Sequence, residues 1–249
     1  FIMERKTEVH ASNRQLAKKK KGKFRRRRAI TAVTQANGLE DPLAPFPYFR
    51  KYNNSGINAS LFVKRVTDLD DIVLQWAFNL IKCNLKEKYE QSSWGWNDEE
   101  KMTELSDKNA WYLIAKEEKG DMLGFSHFRF DLDQGIEVLY CYELQLVPTT
   151  RGKGLGKYMM QILEAIALVN NMRKVVLTVL KNNPCSVFFK LMGYKIDESS
   201  PEDDEKECFS YEILSKAKKH LTRVDKIPGR AVEESWKSTS TKPVVKSLT

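Results

Sequence analysis

The chain has 249 residues, 41% hydrophobic and 30% charged, with a formal net charge of +9. That length and balance suit one buried core with tails, and no apolar run approaches the ~20 residues of a membrane-spanning helix. The basicity sits in one place: residues 18–28, KKKKGKFRRRR, hold nine of the 42 Lys and Arg, and the remaining 33 equal the 33 acidic residues, which argues against a basic groove spread across a fold, as a dedicated DNA reader carries.

The N-terminal stretch is basic without an apolar segment, so no secretory signal is expected. Cys83, Cys141, Cys185 and Cys208 form no C-x-x-C pair. They suggest neither a zinc site nor a disulfide framework, and a reducing compartment fits them best. His10, His127 and His220 are scattered and make no metal or triad pattern.

Residues 1–28 are polar and predict disorder or a frayed helix. Their basic run reads as a nuclear localisation signal, as a nucleic-acid or ribosome contact, or as a solvated tail. Residues 29–39 predict a helix ending near Gly38. Residues 41–52, DPLAPFPYFRKY, carry three prolines and four aromatics; they cannot form a regular helix, yet they are apolar enough to pack across the domain surface. A turn at 53–56 precedes a strand at 57–66. Asp68, Asp70 or Asp71 caps a helix over about 71–91. The loop that follows holds Trp94 and Trp96, which either anchor it to the core or line a groove. Residues 97–108 predict a short charged helix. Three strands follow at 110–117, 122–133 and 136–147, linked by hairpin-type turns at Lys119-Gly120-Asp121 and Gln134-Gly135. A helix at 154–170, an apolar strand at 174–181, a short helix capped by Asn183 or Ser186 and closed at Gly193, and last strands at 194–196 and 208–214 complete the order. Residues 215–249 are polar and lysine-rich, and disorder is expected there. The reading is a mixed α/β sheet with helices on both faces, with a domain over 29–215 between tails at 1–28 and 216–249.

One unit carries chemistry. Residues 140–157, YCYELQLVPTTRGKGLGK, run from an alternating strand through a turn into a helix. The first N–H groups of such a helix lack intrachain acceptors and lie at the positive end of its dipole, so they suit phosphate. Glycines at 154 and 156 let backbone approach a ligand closely. The spacing is neither G-x-x-x-x-G-K-[ST] nor G-x-G-x-x-G, and a glycine-rich connection can also be only a turn.

Strand, Arg151-x-x-Gly154-x-Gly156 and amphipathic helix together resemble the acetyl-CoA-binding motif of the GNAT acetyltransferases, and the order of elements matches their fold. The segments YEQSSWGW (89–96), AWYLIA (110–115), FSHFRFD (125–131), EVLYCYELQL (137–146) and SYEIL (210–214) resemble the NatD-type N-alpha-acetyltransferases, over roughly 29–215. That resemblance implies transfer of acetyl from acetyl-CoA to the free N-terminal serine of histone tails beginning Ser-Gly-Arg-Gly, of histone four and histone two-A type, with no metal. It implies Glu143 as general base. It implies peptide contacts from Tyr89, Trp94, Tyr140, Tyr142, Thr178, Ser199 and Tyr211, with Asp131 and Asp133 meeting the substrate's third-position arginine. The second acid is an aspartate here where relatives can carry glutamate, so its reach is one methylene shorter. Cofactor contacts are implied for Leu144, Gln145 and Leu146, for Gly152, Lys153, Gly154, Leu155, Gly156 and Lys157 with Arg151 of the motif, and for Asn183.

The expected chemistry is direct attack by the deprotonated amine, a backbone N–H near Leu144 steadying the oxyanion and no covalent enzyme intermediate, so that Cys141 is dispensable. The expected protein is a monomer of nucleus and cytoplasm, without a membrane. A GNAT enzyme for lysine side chains or small amines, and a non-catalytic binding module, are the rival readings.

Overall fold

The computed structural model describes residues 22–205 and 207–221. Its centre is one eight-stranded sheet in the order β1-β2-β3-β4-β5-β6-β8-β7. The strands are β1 Lys51–Asn54, β2 Ile57–Arg65, β3 Trp111–Glu117, β4 Met122–Asp133, β5 Ile136–Leu146, β6 Lys174–Leu180, β7 Lys195–Ile196 and β8 Tyr211–Ala217. All neighbours are antiparallel except β5 and β6.

One face is covered by helix α1 (22–37), α4 (Leu155–Val169) and α5 (Cys185–Leu191), around a core that includes Trp111, Phe128, Phe130, Leu139, Cys141 and most of α4. The other face carries α2 (Asp71–Glu90) and α3 (Asp98–Leu105), packed through Phe78, Ile81 and Leu105 on Tyr112, Ile114 and Phe125. No helix among the described residues is long and apolar enough to cross a membrane.

The hairpin between β4 and β5 turns on Gln134 and Gly135, both at positive φ (48° and 77°), the conformation that matches the twist of antiparallel strands. Residues 41–52 pack as expected: Leu43, Phe46, Phe49 and Tyr52 are buried, and Phe49 and Tyr52 meet Tyr158 of α4 with ring centroids 5.6 and 5.0 Å apart. Their end also forms β1, an edge strand returning to β2 through Ser55 and Gly56, both at positive φ.

Two boundaries differ from expectation. Helix α1 begins by residue 22 rather than 29, so the described part of the basic run is helical and exposed. Lys and Arg are good helix formers, and the helix continues outward from its anchor at Ala29 and Ala36. The last strand is Tyr211–Ala217, not 208–214, because β6 pairs along its whole length from Lys174↔Ala217 to Leu180↔Tyr211. Lys216 in that extension is buried against Glu164 of α4, its Nζ 2.9 Å from both carboxylate oxygens. The disorder expected for 1–21 and 222–249 concerns residues outside those described.

Candidate active site

The site forms where β5 leaves β6. β5 pairs with β4 along its length, but with β6 only over Val138–Cys141. Beyond Cys141 the two parallel strands splay, and a wedge opens between their carboxyl ends. The ladder also shifts between His127 and Phe128: His127 opposes Glu143 and Phe128 opposes Cys141, which leaves Tyr142 as an extra residue in β5. Such a bulge re-aims the side chains after it. Strict alternation would send Tyr142 and Glu143 to opposite faces. Instead Leu144 and Leu146 join the α4 face, while Tyr140, Tyr142, Glu143 and Gln145 all address the α2–α3 face.

Glu143 lies at the floor of this face, 5% exposed. Its Oε1 is 3.3 Å from the Lys101 Nζ, and its Oε2 accepts from the Gln145 Nε2 at 2.7 Å. Burial pushes its carboxyl up, Lys101 pulls it down, and Glu104 pushes it up again; the net direction is upward. Lys101 also donates to the Tyr89 hydroxyl (3.2 Å) and to Glu104 (3.0 Å). Burial, followed by the nearby Glu143 charge, pushes the Tyr89 phenol up to about 12, and burial does the same to Tyr140. Both are protonated donors at neutral pH. The Cys141 thiol is pushed up to about 12 by burial, so it is no thiolate nucleophile there.

Aromatic side chains wall the groove. Tyr140 and Tyr142 lie 4.9 Å apart, and the Tyr140 hydroxyl meets the Thr178 Oγ1 at 2.5 Å. Tyr89, Trp94 and Tyr211 make a second wall, with Trp94 5.9 Å from Tyr89 and 4.7 Å from Tyr211. The two tryptophans of the loop divide the expected alternatives between them. Trp96 anchors, packing on Phe78 and Tyr89 and donating its Nε1 to Asp98. Trp94 is 46% exposed at the groove lip. The loop is tied across the mouth by Ser93, whose N and Oγ meet the Ser210 Oγ at 3.0 and 2.7 Å.

The acidic pair stands at the end of β4, on the face of Tyr140 and Tyr142. Asp133 pairs with Lys174 at 3.2 Å, and Lys174 also pairs with Asp197 at 2.7 Å. Ser199 donates its N and Oγ to Asp197, so it reaches the pair only through that network. Asp131 is exposed, its Oδ1 accepting the Leu132 N–H.

Across the wedge, Gly152 and Gly154 take φ of 72° and 87°, a region strained for any residue with a Cβ. A Cβ on Gly154 would stand 2.8 Å from the Tyr52 hydroxyl, which donates to the Lys153 carbonyl at 2.5 Å. Gly156 lets α4 close onto β5, since a Cβ there would meet the Leu146 Cδ1 at 3.4 Å. The N–H groups of Leu155, Gly156 and Lys157 open α4 and have no intrahelical acceptor. Arg151 folds back: its guanidinium donates to the Leu146 carbonyl and to Asn84, so at this turn backbone, not the arginine head, faces a ligand. Asn183 stands beyond the end of β6, its Oδ1 accepting the Cys185 N–H at 3.1 Å. Open N–H groups at a glycine-built helix start, beside a strand segment with no ladder partner, fit the pyrophosphate and the amide arm of acetyl-CoA.

Sequence reasoning passed over Lys101, His127 and Arg129. His127 is stacked between Tyr112 and Tyr142 (5.3 and 5.0 Å) and is held neutral, its pKa pushed well below the usual value by burial and then by Arg129 and Lys101. Arg129 lies 4.2 Å over the Tyr142 ring and pairs with Asp107. For Lys101 a signal existed: Asn97 caps α3 by accepting from the Glu99 and Glu100 N–H groups, and Lys101 then falls one turn before the buried Leu105, on the inward face.

Residues 75–194 match the family model described as acetyltransferase (GNAT) family. Similar solved structures include a GNAT-family acetyltransferase from Listeria monocytogenes (11% identity, TM-score 0.48, covering 67% of this chain and 99% of that one). Tetrahymena GCN5 is another (13%, 0.48, 64% and 96%). So are mutant forms of the spermidine/spermine N-acetyltransferase SpeG from Vibrio cholerae (14%, 0.44, 65% and 95%). These likenesses are loose, and the family match carries the assignment. The splayed strands, the glycine turn and Glu143 all fall within residues 75–194, the segment that matches the GNAT acetyltransferase family.

Proposed function

We propose that the protein is an N-alpha-acetyltransferase of NatD type, acting on the N-terminal serine of histone four and histone two-A tails that begin Ser-Gly-Arg-Gly. The observation that carries this reading is the bulge at Tyr142. It sets a buried carboxylate, Glu143, beside Tyr140, Tyr142 and Thr178 in a groove whose other wall is Tyr89, Trp94 and Tyr211. An enclosure of this kind suits a small first residue and disfavours bulky ones.

Acetyl-CoA supplies the acetyl group as a thioester, held by the turn at 151–157, by Leu144, Gln145 and Leu146 of the splayed strand, and by Asn183. The acceptor arrives largely as an ammonium, since a free α-amine has a pKa of about 7.7–8.0. Glu143 removes that proton, directly or through one water. Its raised pKa makes it a better base than an exposed carboxylate. The hydroxyls of Tyr140 and Thr178 orient the serine, and Asp131 with Asp133 receives the third-position guanidinium by charge-assisted bonds. Lys174 already shares Asp133, so Asp131 takes the larger part. Lys23 and Arg25 to Arg28 stand exposed on the first turns of α1, in keeping with a nuclear and cytoplasmic protein whose basic run engages an import receptor, the ribosome or nucleic acid.

The test is acetyl transfer to a Ser-Gly-Arg-Gly-Lys-Gly peptide and to its N-terminally blocked twin. Product only on the free N-terminus is expected. Equal product on the blocked peptide moves the assignment to a lysine acetyltransferase, and cofactor binding without product on either favours a binding module.

A further inference from the structure

Lys101 is 8% exposed on a helix that borders solvent. A lysine stem is long and flexible enough to bring its head to water from such a position, and burying an ammonium is costly unless it is paired. Here the head turns inward to a prepared set of partners: the Glu143 Oε1 at 3.3 Å, the Glu104 Oε1 at 3.0 Å, the Tyr89 hydroxyl at 3.2 Å, and the Tyr89 ring face at 5.0 Å. Among the described residues, Lys101 is the lysine in ion-pair contact with Glu143.

We propose that Lys101 is a positioning residue for the acceptor side of the site: its ammonium keeps Glu143 ionised in a dry floor, aims the carboxylate, and fixes Tyr89 at the groove wall. This deepens the proposed reaction and rests on Glu143 being its base. The carboxylate is held between two donors, Lys101 on Oε1 and the Gln145 amide on Oε2, so its plane is set before a peptide enters. The same cation disfavours a second ammonium beside it, which helps the bound α-amine to give up its proton.

The groups that surround Glu143 make the sign definite. Tyr89 faces it from α2, Lys101 and Glu104 from α3, Tyr112 from β3, His127 and Arg129 from β4, and Cys141, Tyr142 and Gln145 from β5. Tyr89, Tyr112 and Cys141 are neutral at pH 7, with His127 held neutral as well. Arg129 is committed to Asp107, the Glu104 carbonyl, His127 and the Tyr142 ring. Lys101 is therefore the cation that bears on Glu143 directly, and Glu104 is the opposing charge. An opposite charge within 4–6 Å lowers a carboxylate pKa by about 1–3 units. Removing Lys101 leaves burial and Glu104 to raise the Glu143 pKa, so the ionised fraction at a given pH falls.

The experiment titrates the Glu143 carboxyl by carbon-13 NMR of glutamate-labelled protein, assigned by its loss in Glu143→Gln, alongside kcat/KM against pH. In Lys101→Met the midpoint and the acid limb should both move up by about one pH unit or more. Lys101→Arg should stay near wild type, and KM for acetyl-CoA should not change. An unmoved midpoint in Lys101→Met overturns the proposal. Because an unpaired buried carboxylate can prevent folding, Glu104→Gln provides a second arm. Glu104 is partly exposed, and its loss should move the midpoint down; a midpoint that stays or rises overturns the proposal equally. The NMR titration reads Glu143 whether or not it is the base. If Glu143→Gln keeps wild-type kcat, the base reading alone falls, while the titration still decides the role of Lys101.

Discussion

The two sides of the wedge at the end of β5 are made of different material. On the α4 side the working groups are main chain: open N–H groups at 155–157, two glycines at positive φ, and a strand segment without a ladder partner. On the α2–α3 side they are side chains: a buried carboxylate and lysine, five tyrosines and tryptophans, and an acidic pair. Backbone recognition tolerates any sequence that preserves the turn. It suits a cofactor that a whole family shares. Side-chain recognition depends on which residue occupies each position, and it suits the acceptor, which differs between members.

Perturbing each side should therefore give a different kinetic signature. The largest effect is expected from Glu143→Gln, which should lower kcat by about 10²–10⁴-fold while acetyl-CoA binding, read by calorimetry, stays at its wild-type level. Full turnover at pH 8 would remove Glu143 from the mechanism. Gly154→Val should act on the other side. A β-branched residue at φ 87°, with its Cβ crowding the Tyr52 hydroxyl, costs about 1–3 kcal/mol of local strain. It should weaken acetyl-CoA binding about tenfold or more, as the same free energy appears in the affinity. Unaltered binding would mean that the turn does not hold the cofactor.

Within the acceptor side, Asp131→Asn should raise KM for Ser-Gly-Arg-Gly peptides several-fold and Asp133→Asn less, because Lys174 already shares Asp133. Replacing the peptide's arginine by alanine should abolish both effects; variants that raise KM for the alanine peptide as much as for the arginine peptide would break the assignment. The smallest kinetic effect is expected from the loop. Trp94→Ala should raise peptide KM with little change in Tm, whereas Trp96→Ala should lower Tm by several degrees, in line with ~1–2 kcal/mol of lost packing. The reverse pattern would mean that Trp94, not Trp96, is the anchor.

Much of the fold could be read from the chain because local signals agreed. The β4–β5 hairpin with its Gln-Gly turn, the apolar helix after Gly154 and the strand at 174–180 each combine periodicity with a matching turn residue. The parts that escaped are those where tertiary pairing overrides the local pattern. Lys216 extends β8 because Glu164 waits for it inside, and a buried ion pair looks like two surface residues in sequence. Lys101 also looks like a surface residue in sequence, and only the Asn97 cap with the spacing to Leu105 marks its face as inward. The bulge at Tyr142 has no one-dimensional signature, since one extra residue in an alternating strand changes no composition. The resemblance named Glu143, Tyr140 and Tyr142 individually, but their sharing one face follows only from the register.

Trp94 carries a further consequence. Among the described residues it is the one exposed tryptophan, with Tyr89 and Tyr211 within 6 Å of its ring. An indole half in water emits at longer wavelength than one enclosed, and tyrosines this close feed it excitation. Filling the groove should shift this emission to the blue and change its intensity, so the protein carries its own optical gauge of groove occupancy, readable by stopped flow before any acetyl group has moved.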